Sequence, residues 1–312
     1  MGFCLKPGQP IDEEIRRIAD HQFAQAVAAL RTVGGAESDD AVHAARRRVK
    51  KVRALIRLVR PTLSPRYRSL NRRLRAVNRL LAPVADGHAT VETLERLAAK
   101  YRRALAPQTL AEIRRRLLRR EAVADEEASL SGAVQTAAAL LCKERRALGR
   151  WRLDQSGFRA IAPGLGKSVR SSRRAMALAL AHPSIEHYHT WRQRVKDQWL
   201  HVRLLQARCA NGLARDERRL EALDGCLGEY HDCALLQNVL TSDSALDRSD
   251  AARCLRLVRR YQRELRAKAR TLGRAIHRET PRRFVKRVKR HWRSARRARG
   301  AAERSTSWQR AA

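Results

Sequence analysis

"VHAARRRVKKVRALIRLVRP", residues 42–61, sets one histidine among eight arginines and lysines. The spacing reads as a single helix, because Val42, Ala45, Val49, Val52, Ile56 and Val59 recur every three or four positions. At about 100° per residue they form a stripe about 100° wide. His43, Arg46, Lys50, Arg53 and Arg57 fall in a separate wedge of roughly 80° that borders it. Arg47, Arg48 and Lys51 point elsewhere, toward water. A cation at the edge of a core sits where the effective dielectric is low, so an unpaired one is costly and needs a counter-charge. Long Arg and Lys stems also run along core edges with solvated heads, so one such helix decides nothing.

A second stretch, "YHTWRQRVKDQWLHVRLL", residues 188–205, partly repeats the first. His43 and His189 lie 146 residues apart, and at that offset Arg46 matches Arg192, Lys50 matches Lys196 and Arg57 matches Arg203. The register continues without a gap through Leu74/Leu220, Leu81/Leu227, Asp86/Asp232 and Leu94/Leu240. Shared Leu and Arg could come from composition alone, but a shared His, Lys and Asp in one register indicates duplication. The chain therefore reads as two copies of one helical unit, about residues 11–150 and 157–280, after a short lead at 1–10. A pseudo-twofold packing of such copies would place the two histidine helices in related positions.

The rest of the chain is consistent with this. Apolar residues recur at helical spacing over most of its 312 residues, and no strand-like alternation stands out. The breaks carry turn chemistry: "GGAESDD", "RPTLSP", "APVADG", "DQSG", "AHPS", "ANGL" and "TSDSALD". Few aromatics with abundant Ala, Leu and Arg favour helices and count against sheet-based single-strand binders. After Pro281 the sequence becomes an Arg- and Lys-rich extension, 281–312, helical to about Arg299 and disordered in its last dozen residues. Lysine and arginine total 68 against 31 acids, a formal charge of +37. Self-repulsion on that scale implies a polyanionic partner: nucleic acid, inorganic polyphosphate or an anionic membrane surface. The six cysteines lack C-x-x-C spacing and read as reduced core residues. No secretory start or membrane-spanning run is visible, so the expected location is cytoplasmic.

Three motif-like stretches do not hold. "GLGKS", 164–168, has Ile161 where a P-loop needs its first glycine. "HYH", 187–189, directs its two imidazoles apart on a helix. "HD", 231–232, has no further ordered His and Asp ligands of the kind a metal phosphohydrolase needs. No metal site, cofactor or catalytic residue is expected.

At the two histidine helices the chain resembles the CHAD family, the conserved-histidine α-helical domain, whose signature runs approximately H-x-x-R-x-x-x-(K/R)-(K/R)-x-R-x-x-x-(R/K). His43, Arg46, Lys50, Lys51, Arg53 and Arg57 meet it, as do His189, Arg192, Lys196 and Arg203. The second copy departs at Asp197 and Trp199, where basic residues are usual. A following L-G-x-x-R-D-like element is reduced to Asp86 in "LLAPVADGH" and kept as Leu227, Gly228 and Asp232 in "CLGEYHDCA", with His231 at the arginine position. The resemblance implies an all-α fold of two pseudo-twofold-related four-helix bundles around a basic central groove. It also implies binding of inorganic polyphosphate, here by those ten residues, and association with polyphosphate granules; the wedge itself offers cations and no metal-holding carboxylates, which fits binding and not turnover. Asp86 and Asp232 read either as helix N-caps or as carboxylates that orient the basic side chains.

The residues alone reach only a helical binder of a linear polyanion. Cations one helical turn apart, about 5.4 Å, can track a chain of phosphates. The alternative is a helical nucleic-acid-binding protein, with the extension 281–312 as one possible contact, although no recognised DNA- or RNA-binding motif is present.

Overall fold

The computed structural model describes residues 2–33, 38–63, 65–82, 88–101, 104–124, 127–243 and 246–311. These form eleven α-helices and, among the described residues, no strand. The helices are α1 (Ile11–Arg31), α2 (Ser38–Leu58), α3 (Tyr67–Leu80), α4 (His88–Lys100), α5 (Pro107–Ala124) and α6 (Glu127–Arg146). They continue as α7 (Gly157–Ala181), α8 (Ile185–Leu205), α9 (Ala214–Ser242), α10 (Arg248–Ile276) and α11 (Pro281–Ala311).

Local chemistry sets several starts and stops. Asp12, Glu13 and Glu14 crowd the first turn of α1, where the helix dipole favours negative charge. The Ser184 hydroxyl accepts the His187 N–H to cap α8, and Asp247 accepts the N–H groups of Ser249 and Asp250 to cap α10. Between α8 and α9 the chain turns through Ala210 and Asn211, both with positive φ.

The packing repeats with the sequence. α1 lies on α2 and α6 as α7 lies on α8 and α11; α2 meets α3 as α8 meets α9; α5 lies on α4 as α10 lies on α9. Between the two sets, α2 touches α7 and α8, and α4 touches α9 and α10. The apolar stripe read from residues 42–59 is fully buried. Its repeat partners Tyr188, Trp191, Val195, Gln198, Val202 and Leu205 are buried too. Of the cysteines, Cys209, Cys226, Cys233 and Cys254 are buried, and none forms a disulfide.

Three features differ from the sequence reading. First, α9 is one 29-residue helix where the first copy has α3 and α4. Asp232 therefore lies inside a helix and cannot be an N-cap, because the backbone N–H groups near it are spent within α9. Asp86 lies outside the described residues. Second, the lead is built into the core. Leu5 is fully buried, its N–H donates to the Leu204 carbonyl at 2.9 Å, and Arg17 holds the Cys4 carbonyl at 3.0 Å. Third, the extension read as helical to about Arg299 runs as α11 to Ala311 and packs on α7. Phe284, Val288 and Trp292 are buried at four-residue spacing, and Arg287 reaches both Asp216 and Glu279. Three apolar residues among so many cations made a weak pattern in sequence, yet they suffice to fasten the helix.

Candidate polyanion site on the paired helices

α2 and α8 meet where His201 Nε2 donates to the Ala54 carbonyl at 2.9 Å. Six of the ten predicted basic residues are linked around these helices: His43, Arg46 and Lys50 from α2, and His189, Arg192 and Lys196 from α8. The electrostatic links cross between the copies. Partial burial lowers the pKa of His43, and Arg47, Lys50, Arg46 and Lys196 of α8 lower it further. His189 is lowered by burial first, then by Arg192 and by Lys50 of α2. Lys50 and Lys196 are repeat equivalents, so each lysine acts on the other copy's histidine.

α9 adds His231 to this group. Its ring centroid lies 4.6 Å from that of His189. Burial, then His189, Arg192 and Lys50, push its pKa down to about 4. His189 Nε2 lies 2.7 Å from the Gln193 side-chain nitrogen, so the Gln193 amide donates and the imidazole proton is assigned to Nδ1. The Nδ1 atoms of His189 and His231 are both buried with no hydrogen-bond partner. Neutral imidazoles among cations are poised to gain protons when an anion arrives, because a nearby negative charge favours the charged form.

The two signature arginines occupy matching places. Arg46 Nη1 reaches the Ala82 carbonyl at 3.4 Å. Arg192 lies over the equivalent residue of α9, Gly228, where an added Cβ would stand 3.2 Å from Nη2. Carboxylates balance part of the charge. Lys196 pairs with Asp224 at 3.6 Å. Asp232 faces Arg192 and Arg96, with burial raising its pKa and those cations opposing the rise.

The other four predicted residues stand outside that group, on the flanks of the same two helices. Arg57 donates to Asp197 at 2.5 Å. Arg53 reaches Asn71 at 3.4 Å, and burial, followed by Arg57, lowers its pKa to about 10. Lys51 lies under the Phe3 ring, 5.6 Å from its centroid, with its pKa pushed to about 8 by burial, then by Arg48, Arg203 and Arg47. Arg203 covers the Trp199 ring at 5.8 Å and lies 3.9 Å from Glu217. Lys51 and Arg48 do not point simply into water, because the lead covers Lys51 and Arg48 reaches Gln22 of α1 at 3.4 Å. Sequence reasoning did not assign His231, Gln193 or Asp224 to the site. His231 carried a signal in its place at the basic position of the second element; a glutamine and an aspartate on charged helix faces carried none.

Among the described residues, no three His, Cys, Asp or Glu side chains gather as metal ligands, and no helix is long and apolar enough to cross a membrane. The family model described as CHAD domain matches residues 17–241. No curated protein sequence matches the chain. Among solved structures, PptA from Streptomyces chartreusis is similar in fold, with a TM-score of 0.60 at 16% identity over 87% of this chain and 100% of that one.

Proposed function

Because the chain belongs to the CHAD family and links the basic groups of both its copies around α2 and α8, we propose that it is a non-catalytic binder of inorganic polyphosphate. What supports this reading is a reciprocal electrostatic link: Lys50 of one copy lowers the pKa of His189, and Lys196 of the other lowers that of His43. A twofold relation between the copies would produce that reciprocity. It supports a shared groove in which His43, Arg46, Lys50, His189, Arg192 and Lys196 face one thin chain of phosphates.

Each phosphate oxygen would accept from forked guanidinium donors or a lysine point charge. The buried Nδ1 donor assigned to His189 would find the acceptor it lacks. Binding without turnover fits a group whose two carboxylates, Asp224 and Asp232, are engaged by Lys196 and by Arg192 and Arg96, since metal-assisted attack on a phosphoanhydride needs carboxylates to hold the ion. The reading places the protein in the cytoplasm, at polyphosphate granules.

The test is a titration of labelled long-chain polyphosphate at physiological salt, challenged with DNA, RNA and heparin. The account expects nucleic acid to displace the label poorly. Displacement by DNA or RNA at equal phosphate concentration would favour the nucleic-acid alternative, and phosphate release by the purified protein would contradict a non-catalytic role.

A further inference from the structure

A cleft lies beside that line of cations, where the end of α2 meets α7 and α8. Its walls carry Arg57, Arg60, Lys167 and Arg194 against a single carboxylate, Asp197. Asp197 is committed to Arg57 at 2.5 Å and lies 4.0 Å from Arg194. Lys167 has cations for neighbours: partial desolvation of its stem, then Arg60, Arg170 and Arg194, lower its pKa. The Arg60 guanidinium is steadied over the Tyr67 ring at 4.9 Å. The helices behind the cleft are in very close contact. A Cβ at Gly164 would stand 1.7 Å from the Leu58 carbonyl oxygen, so only glycine lets α7 approach the last turn of α2.

His201 supplies an independent observation. It is 1% exposed and lines this cleft. Its Nε2 faces the Ala54 carbonyl and must carry the proton, which leaves Nδ1 a buried acceptor with no partner. A ligand that suits both features carries several negative charges and one hydroxyl proton.

We propose that this cleft is a second anion site, taking a compact phosphoanion with a terminal P–OH group, such as pyrophosphate or the end of a phosphate chain. Cations from three sides surround a small anion; they do not form the row that a long chain follows. Arg60 and Arg194 offer forked donors, Lys167 a point charge, and His201 Nδ1 accepts the P–OH proton. The site does not depend on the polyphosphate reading of the central group, and losing that reading leaves it standing.

The experiment is isothermal titration with pyrophosphate on three proteins: the unaltered chain, Arg60→Gln with Lys167→Gln, and Lys50→Gln with Lys196→Gln. The cleft variant should lose about tenfold or more in pyrophosphate affinity and change long-chain affinity by less than about threefold. The central variant should show the reverse. Absence of pyrophosphate binding by the unaltered chain, or equal losses in both variants, overturns the proposal. Lys167 is exposed, so Lys167→Gln alone serves if the double change unfolds, with thermal melting as the check. Short phosphate chains with free or esterified ends separate the two sources. Displacement of pyrophosphate by free ends only assigns the cleft to chain ends, and displacement by neither assigns it to free pyrophosphate.

Discussion

The two flanks of the α2–α8 pair started from the same positions and settled their charge differently. On one, Arg57 meets Asp197 across the helices at 2.5 Å. On the other, the repeat equivalents are Arg203 and Lys51, two cations, with Lys51 held under Phe3 of the lead. The first flank has a counter-ion and an open cleft. The second has no acid at the equivalent place and is covered by residues 3–5, which hydrogen-bond to α8 at Leu204. Duplicated backbone therefore does not require duplicated electrostatics. A single carboxylate stabilises one arginine, whereas an apolar cover and a cation–π contact accommodate the other pair while depressing the lysine.

The largest expected break in this comparison is Leu5→Ala. Leu5 is fully buried in the covered flank, and truncating such a side chain costs about 3 kcal/mol. Urea unfolding should show a lower midpoint with an unchanged slope; no change would mean that the lead is not part of the folded unit. Next is Asp197→Asn, which strands Arg57 in a partly desolvated place and should cost about 2 kcal/mol. Adding Arg57→Gln should recover part of that loss, and strict additivity in the double-mutant cycle would show that the pair is not coupled.

Smaller effects come from titration. Lys51 has a folded pKa of about 8, below its ordinary value of 10.5, so the folded state binds fewer protons than the unfolded state between those pH values. Its contribution to stability should rise from about pH 8 to 10.5. Lys51→Met should flatten that rise, and an unchanged pH profile would show that the cover does not desolvate the lysine. His231 behaves likewise in a lower window. Its folded pKa of about 4 lies below 6.5, so stability is full above pH 6.5 and falls as pH drops toward 4. His231→Asn should remove part of that fall. Bound polyphosphate should oppose it, seen as proton uptake when titrations are compared in buffers of different ionisation enthalpy.

The all-α fold was legible in sequence because the apolar stripe of α2 and the helical spacing along the rest of the chain agree. The six linked residues could be read because they share one wedge on each of two related helices. The places of Lys51 and Arg57 could not, because their environments are made by residues distant in sequence, Phe3 and Asp197. The continuity of α9 was hidden by the same "L-G-x-x-R-D"-like element that interrupts the first copy. The helix of α11 was legible to about Arg299, but its packing was hidden because three apolar residues carry it amid a run of arginines.

The central claim is that cations of both copies serve one polyphosphate chain. Anisotropy of labelled long-chain polyphosphate, measured at physiological salt, tests it through two variants that remove the same charge: Lys50→Gln with Lys196→Gln, and Arg282→Gln with Arg283→Gln on α11. The account predicts a loss of about tenfold or more for the first and less than about threefold for the second. Equal losses would show that net charge, and not the gathered pair of helices, holds the chain.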